Sequence, residues 1–246
     1  MDWNLLLTGL GVNAVIALAA FFAGAVGATG VVAGLVVGTT IFYAVSWPGY
    51  AVLLTFFVIA SGLSKMGYAR KAALGVAQEA GGRRGAKHAI ANCGFAVLMC
   101  IAMLLFSGHA IVPYLVLAYL GAFATALADT TGSEFGQLYG KTPFLITTFK
   151  RVPVGTDGAV SVEGTVAGIV ASAVIAVLGF WMMGGAAFGW QGFVAVVLGA
   201  FIGTTAESYI GATIEGVKNI DNEVVNFANT VIGGGASALL FWLLPH

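Results

Sequence analysis

The chain has 246 residues, of which 59% are hydrophobic and only 8% charged, against roughly 25% charged in a soluble domain. Ten Lys+Arg balance ten Asp+Glu, so no global field draws nucleic acid or an acidic partner. A mean hydropathy of +0.98 excludes a soluble enzyme, a secreted disulfide scaffold and a disordered linker, and leaves an all-α polytopic transmembrane helix bundle, a single integral membrane domain over 1–246.

A crossing helix needs about 20 mostly apolar residues. Apolar runs follow one another at 3–24, 30–47, 48–64, 89–106, 110–128, 165–183, 190–211 and 224–244, all uncharged except for Glu207 in the seventh. They predict eight spans, or seven if the second and third, parted only by Ser46-Trp47-Pro48-Gly49, are one. Asp2 and the lack of basic residues before the first run predict no cleaved signal peptide. After the third run, residues 65–88 carry Lys65, Arg70, Lys71, Arg83, Arg84 and Lys87 against one acid, Glu79. The positive-inside rule assigns that loop to the cytoplasm. Threading outward puts 129–163 and 212–223 on the same side, leaving short, nearly uncharged turns opposite. The expected location is a plasma, inner or thylakoid-type membrane with the polar face cytoplasmic. Cys93 and Cys100 share one span and read as buried thiols.

Gly30-Val31-Val32-Ala33-Gly34 reappears as Gly164-Thr165-Val166-Ala167-Gly168, and Asn92 in the fourth run has a counterpart in Asn229 of the eighth. The similar offsets predict a parallel four-plus-four repeat with halves 1–106 and 107–246. Small residues four apart (Gly30/Gly34/Gly38, Gly164/Gly168, Gly199/Gly203) predict close helix approach.

Three polar clusters carry the candidate chemistry. On a continuing helix Asp129, Ser133 and Gly136 share one face, and Glu134 lies beside them. A carboxylate at the hydrocarbon edge defaults to a functional role. Gly136-x-x-x-Gly140-Lys141-Thr142 is one residue short of a Walker A loop and follows a helix rather than a strand, so it is not a P-loop. Next, Lys150-Arg151 precede Gly155-Thr156-Asp157-Gly158 and Ser161, where the chain starts the sixth helix. Glycines, hydroxyls and a helix N-terminus suit a phosphate, and Asp157 suits Mg²⁺ that keeps phosphate and water ligands. The third cluster is basic, with Arg84 and Lys87 leading into Asn92. Further polar groups recur at Glu207-Ser208, Asp221-Asn222-Glu223, Asn226 and Asn229. This inventory fits Mg²⁺-nucleotide chemistry, which is mostly positioning and charge neutralisation. No Asp-Asp-x-x-Asp is present, against an aspartate-rich prenyltransferase.

Together "DTTGSEFGQLYG", "FKRVPVGTDGAVSVEGTVAG", "GGRRGAKHAIANCG" and "DNEVVNFANT" resemble the membrane family called domain of unknown function ninety-two, over nearly the whole chain. Asp129, Gly136, Gly140 and Lys141 with Lys150 and Glu163 are loosely similar to CTP-using dolichol kinases and phosphatidate cytidylyltransferases. The family includes a phytyl-phosphate kinase of vitamin E synthesis. The resemblance therefore implies transfer of the CTP γ-phosphoryl to an isoprenyl monophosphate, phytyl or geranylgeranyl phosphate. His88 stands where glutamine is expected of the family. On this reading Asp129, Lys150 and Asp157 are catalytic. Asp129, Asp157, Asp221 and Glu207 are candidate metal ligands. Arg84, Lys87, Asn92, Gly155, Thr156, Gly158, Ser161 and Asn229 bind nucleotide or phosphate, and Lys65, Ser133 and Glu134 face the substrate. The implied partners are Mg²⁺, CTP, an isoprenyl-phosphate lipid and the bilayer, with a homo-oligomer compatible and no nucleic acid. A transporter or lipid flippase built on the repeat, and a cytidylyltransferase, are the alternatives.

Overall fold

The computed structural model describes residues 2–214 and 221–244; residues 215–220 of the expected 212–223 loop lie outside the described residues. The helices are α1 (Trp3–Phe22), α2 (Ala28–Lys65), α3 (Tyr68–Ala73), α4 (Glu79–Gly82), α5 (Ala86–Leu105), α6 (Val112–Tyr139), α7 (Val162–Met182), α8 (Gly185–Thr213) and α9 (Asn222–Leu243). Among the described residues, seven helices are long and apolar enough to cross a membrane.

One of the seven is itself a hairpin. Ser46 leaves helical geometry at φ 53°, and Pro48, which lacks an amide proton and disfavours helix in the residue before it, starts the second arm. Arg84 shows the reversal. Its carbonyl lies where a Cβ on Gly30 would fall, and its Nη2 is 3.4 Å from Ser64 Oγ. Along an unbroken helix, positions 30 and 64 would be about 50 Å apart, at 1.5 Å per residue. The α2 arms are therefore two antiparallel rods of near-equal length, and the bundle has eight apolar rods among the described residues. The expected corner at 46–50 is where the chain turns.

Side chains cap several starts. The Asp2 carboxylate accepts from Asn4 N at 3.0 Å and Leu5 N at 3.1 Å. Ser161 and Asp221 do the same for α7 and α9. Large apolar side chains such as Leu7, Phe22, Val32, Val58, Leu105, Val170, Trp181 and Trp242 remain outward, as lipid-facing positions require.

The centre is α6, whose residues from Leu117 to Ala128 are all buried among α2, α5, α7, α8 and α9. Lipid tails are as apolar as leucine, so the helices cohere by close contact of small residues. A Cβ on Gly203 would come within 2.6 Å of Thr125 Cγ2, and one on Gly168 within 2.9 Å of Ala128 O. Gly38 is likewise closed by Asn13 and Gly199 by Ser237, as the small-residue spacing predicts. Gly34 departs from that expectation, because nothing lies within 4 Å of where its Cβ would be. Cys93 and Cys100 are buried free thiols.

One bundle end gathers the polar connections. Lys65 Nζ donates to Ala23 O at 2.8 Å, and Arg84 N donates to Ala25 O at 2.9 Å. The segments expected as loops are partly helical: α6 runs through 129–139, and α3 and α4 occupy part of 65–88. Strands β1 (Phe144–Leu145) and β2 (Ala159–Val160) pair antiparallel, Phe144 with Val160 and Leu145 with Ala159. They clamp the base of a flap over residues 144–160 that the all-α expectation lacked.

Candidate nucleotide and phosphate site

A cleft of about 600 Å³ opens at the polar end, between the starts of α5, α7 and α9, the end of α8, the extension of α6 and the flap. That volume is in the range of small-molecule sites. The α6 extension is decisive. Because the helix does not stop at the apolar boundary, Asp129, Ser133 and Gly136 come onto one face by the i, i+4, i+7 spacing, and all three line the cleft.

Two close backbone approaches hold α7 against this wall. A Cβ on Gly132 would lie 3.3 Å from Gly164 O, and Ala128 meets Gly168 one turn along. Ser161 Oγ accepts from Gly164 N at 3.1 Å. The α7 N-terminus, with its partial positive charge, thus sits beside the Asp129 turn. Across from it the flap carries Thr156 and Asp157, with Thr156 Oγ1 donating to Pro153 O at 2.9 Å. Gly155 and Gly158 have φ +85° and +69°, in the region where a Cβ is strained. Each also abuts a neighbour where a Cβ would overlap, Val76 for Gly155 and the Ser208–Ala212 turn of α8 for Gly158. The flap is therefore seated on α8 and on the 66–85 segment rather than free in solvent.

Cations approach from the opposite wall. Arg84 is stapled through its backbone, donating to Ala25 O and accepting from Gly27 N at 3.1 Å, which aims its side chain inward. The guanidinium lies 5.6 Å from the Phe56 ring centroid, and its buried Nε has no hydrogen-bond partner. Burial pushes its pKa down, while Cys93, Glu134 and Asp129 act in the opposite sense. Lys71 is fully buried. Its Nζ donates to Ser64 O at 3.0 Å, to Leu63 O at 3.1 Å and to Glu134 Oε2, while Glu134 Oε1 has no hydrogen-bond partner.

Of the residues expected from sequence, the cleft gathers Arg84, Asn92, Asp129, Ser133, Glu134, Gly155, Thr156, Asp157, Gly158, Ser161 and Glu207. Asn92 Nδ2 donates to His88 O at 3.0 Å, and Glu207 Oε2 accepts from Ser208 Oγ at 3.4 Å. Five expected residues do not line it. Lys65 holds the C-terminal end of α1 through Ala23 O. Lys87 and Lys150 are exposed, Asp221 caps α9 by accepting from Val224 N at 3.1 Å, and Asn229 is buried a turn below Asn226 with neither amide atom hydrogen-bonded. Gln78, His88, Gln137, Thr204 and Thr205 line the cleft outside the set of site residues expected from sequence, and so do Asn222 and Asn226, which figure there only as recurring polar groups. The helical spacing of Asn222, Asn226 and Asn229 was a signal for two of them. Lys71 had none, being one of six basic residues in its segment.

Among the described residues no three His, Cys, Asp or Glu side chains come together as a metal cage. Asp129, Asp157 and Glu207 nevertheless border the same space. That arrangement suits Mg²⁺, which is held by one or two carboxylates and completes its shell with phosphate oxygens and water. Pro143, Phe144, Phe149 and Val154 form an apolar side of the cleft on the flap.

The chain is 43% identical over 199 residues to an uncharacterized membrane protein of Synechocystis sp., covering 80% of this chain and 76% of the relative. It is 36% identical over 218 residues to the chloroplastic protein VTE6 of Arabidopsis thaliana, covering 87% of this chain. That match spans 64% of the plant protein's length, less than two thirds. An uncharacterized membrane protein of Methanocaldococcus jannaschii is 30% identical over 219 residues, covering 87% of this chain and 85% of its own. No solved structure matches significantly. The model of the integral membrane protein family DUF92 matches residues 11–234, and the chain belongs to that family.

Proposed function

We propose that this protein is a CTP- and Mg²⁺-dependent kinase that converts an isoprenyl monophosphate, phytyl or geranylgeranyl phosphate, to the diphosphate at the cytoplasmic face of its membrane. The observation that carries this reading is one cleft in which Asp129, Asp157 and Glu207 face Arg84 and the α7 N-terminus, at the polar end of an apolar bundle. Such a site takes a polyphosphate and a lipid phosphate together. The family resemblance to a phytyl-phosphate kinase supports the same substrate class.

In this mechanism Asp129 and Asp157 would hold Mg²⁺, with Glu207 as a further carboxylate, and the ion would neutralise and align the CTP phosphates. Ser161 offers its hydroxyl and Gly158 its backbone N–H to phosphate oxygens, Thr156 holds the turn through Pro153 O, and the flap that carries them limits water access. Arg84 holds the acceptor phosphate. One oxygen of that phosphate attacks the γ-phosphorus, the bond to the β-bridging oxygen breaks, and CDP leaves with that electron pair. The acceptor is anionic at neutral pH, so no protein base is needed.

Incubation of purified protein with CTP, Mg²⁺ and a panel of isoprenyl monophosphates tests the assignment by its products. CDP with an isoprenyl diphosphate supports the kinase. Pyrophosphate with a cytidylated lipid would make the protein a cytidylyltransferase instead.

A further inference from the structure

Arg84 borders two cavities. On one side is the polar cleft; on the other is a narrower groove of about 100 Å³ between α1, the two arms of α2 and the start of α5. The groove wall is almost entirely apolar, with Ile16 and Ala20 from α1, Gly34 and Val37 from the first α2 arm, and Leu54 and Phe57 from the second. It continues for about 10 Å along these helices, from the level of Gly30 to that of Val37, at 1.5 Å per residue. Its far end is closed by a buried polar pair, Tyr50 donating to Asn13 Oδ1 at 2.8 Å. At its near end is the Arg84 guanidinium, whose Nε is buried without a hydrogen-bond partner. Asp129 and Glu134 act on this cation from the cleft side, yet neither gives Nε an acceptor.

An apolar channel ending at a buried, incompletely satisfied cation is complementary to one kind of molecule, a hydrocarbon chain with an anionic head. Buried donors are hydrogen-bonded as a rule, and a phosphate oxygen at Nε would complete this one. Gly34 explains the width: where Gly30 and Gly38 on the same α2 arm are closed by Arg84 and Asn13, its missing side chain leaves the space open.

We propose that this groove seats the head-proximal part of the substrate's isoprenoid chain, with Arg84 holding the monophosphate at the junction and Gly34 setting how much chain can enter. This rests on the isoprenyl-phosphate reading of the cleft, and it adds the place and the determinant of chain selection. The dimensions leave the distal part of a long chain outside the groove, in the bilayer.

The test is equilibrium binding of radiolabelled geranylgeranyl phosphate and dimethylallyl phosphate to the full-length detergent-purified protein, without nucleotide. Gly34→Phe and Ala20→Phe fill the groove from opposite walls, so one serves if the other does not fold; Tm and gel filtration report folding. Overfilling a cavity typically costs enough to weaken binding about tenfold or more. That loss is expected to be larger for geranylgeranyl phosphate than for dimethylallyl phosphate, whose five-carbon chain fills less of the groove. Arg84→Gln is expected to weaken both. Wild-type affinity for geranylgeranyl phosphate in both filling variants overturns the groove while leaving the kinase reading standing. Chain-dependent loss without any phosphoryl transfer from CTP supports the groove and overturns the kinase. Equal competition by phosphatidylglycerol makes the occupant an ordinary bilayer lipid and overturns the proposal.

Discussion

Lys71 and Glu134 form an ion pair inside the protein, with side chains 0% and 4% exposed. The pair ties the 66–85 segment to α6, because Nζ also donates to the carbonyls of Leu63 and Ser64 at the end of α2. Glu134 lies in the same stretch of α6 as Asp129 and Ser133, so the pair fixes the height of the cleft wall relative to Arg84.

Breaking that pair on one side leaves an uncompensated buried charge, which typically costs about 3–5 kcal/mol. Lys71→Met is therefore expected to lower Tm in detergent markedly. Replacing both partners, Lys71→Met with Glu134→Leu, is expected to restore most of the loss. A double variant as unstable as the single one would show that the pair is not what secures this wall.

Gly158 has φ +69° and abuts the Ser208–Ala212 turn. Gly158→Ala adds backbone strain of about 1–3 kcal/mol besides the overlap, and lifts the flap off α8. Transfer activity is expected to fall about tenfold or more, with helical circular dichroism unchanged because the substituted residue lies outside every spanning helix and the flap, not α8, gives way. Unaltered kcat and KM would remove the flap's seat from the mechanism.

Arg84 and Lys87 are neighbours in sequence with different environments, one half-buried at the cleft and one exposed outside it. Arg84→Gln is expected to lower kcat/KM for the lipid phosphate by about a hundredfold, the scale of a charge-assisted contact. Lys87→Gln is expected to change it by less than about threefold, as for an exposed charge. Kinetics with the lipid phosphate varied at saturating CTP distinguish the two.

Asn229 is buried beneath the cleft with no hydrogen bond to its amide, whereas Asn226 borders the cleft. Removing a buried, unsatisfied polar group is nearly neutral or stabilising. Asn229→Leu is expected to keep Tm and turnover close to wild type, while Asn226→Leu lowers turnover. A large loss of activity in Asn229→Leu with Tm intact would return that residue to the site.

Much of this was legible in the sequence, for identifiable reasons. Apolar runs report helices directly, and the break at Ser46-Trp47-Pro48 marked the α2 corner. Asp129, Ser133 and Gly136 were readable because helical spacing survives past the membrane boundary. Asp157 and its flanking glycines were readable because a turn needs them. What failed was the sorting of like residues within a segment. Nothing local distinguishes buried Lys71 from exposed Lys65 and Lys87, since the environments of Lys71 and Lys65 are set by α6 and the end of α1, distant in sequence. The β1–β2 clamp escaped for the same reason, being two short strands held by register across the flap. The groove beyond Arg84 is legible only once α1 and both arms of α2 are in place.

The most direct measurement of the central claim follows label from γ-phosphorus-labelled CTP into lipid, using purified wild type, Asp129→Asn and Asp157→Asn with geranylgeranyl or phytyl phosphate. Wild type with Mg²⁺ is expected to give labelled isoprenyl diphosphate, lost with EDTA and regained with added Mg²⁺. Both variants, folded by gel filtration, are expected to give background only. Label transfer at the wild-type rate in both variants, or none from wild type to any isoprenyl monophosphate, would contradict the assignment of phosphoryl transfer to this cleft.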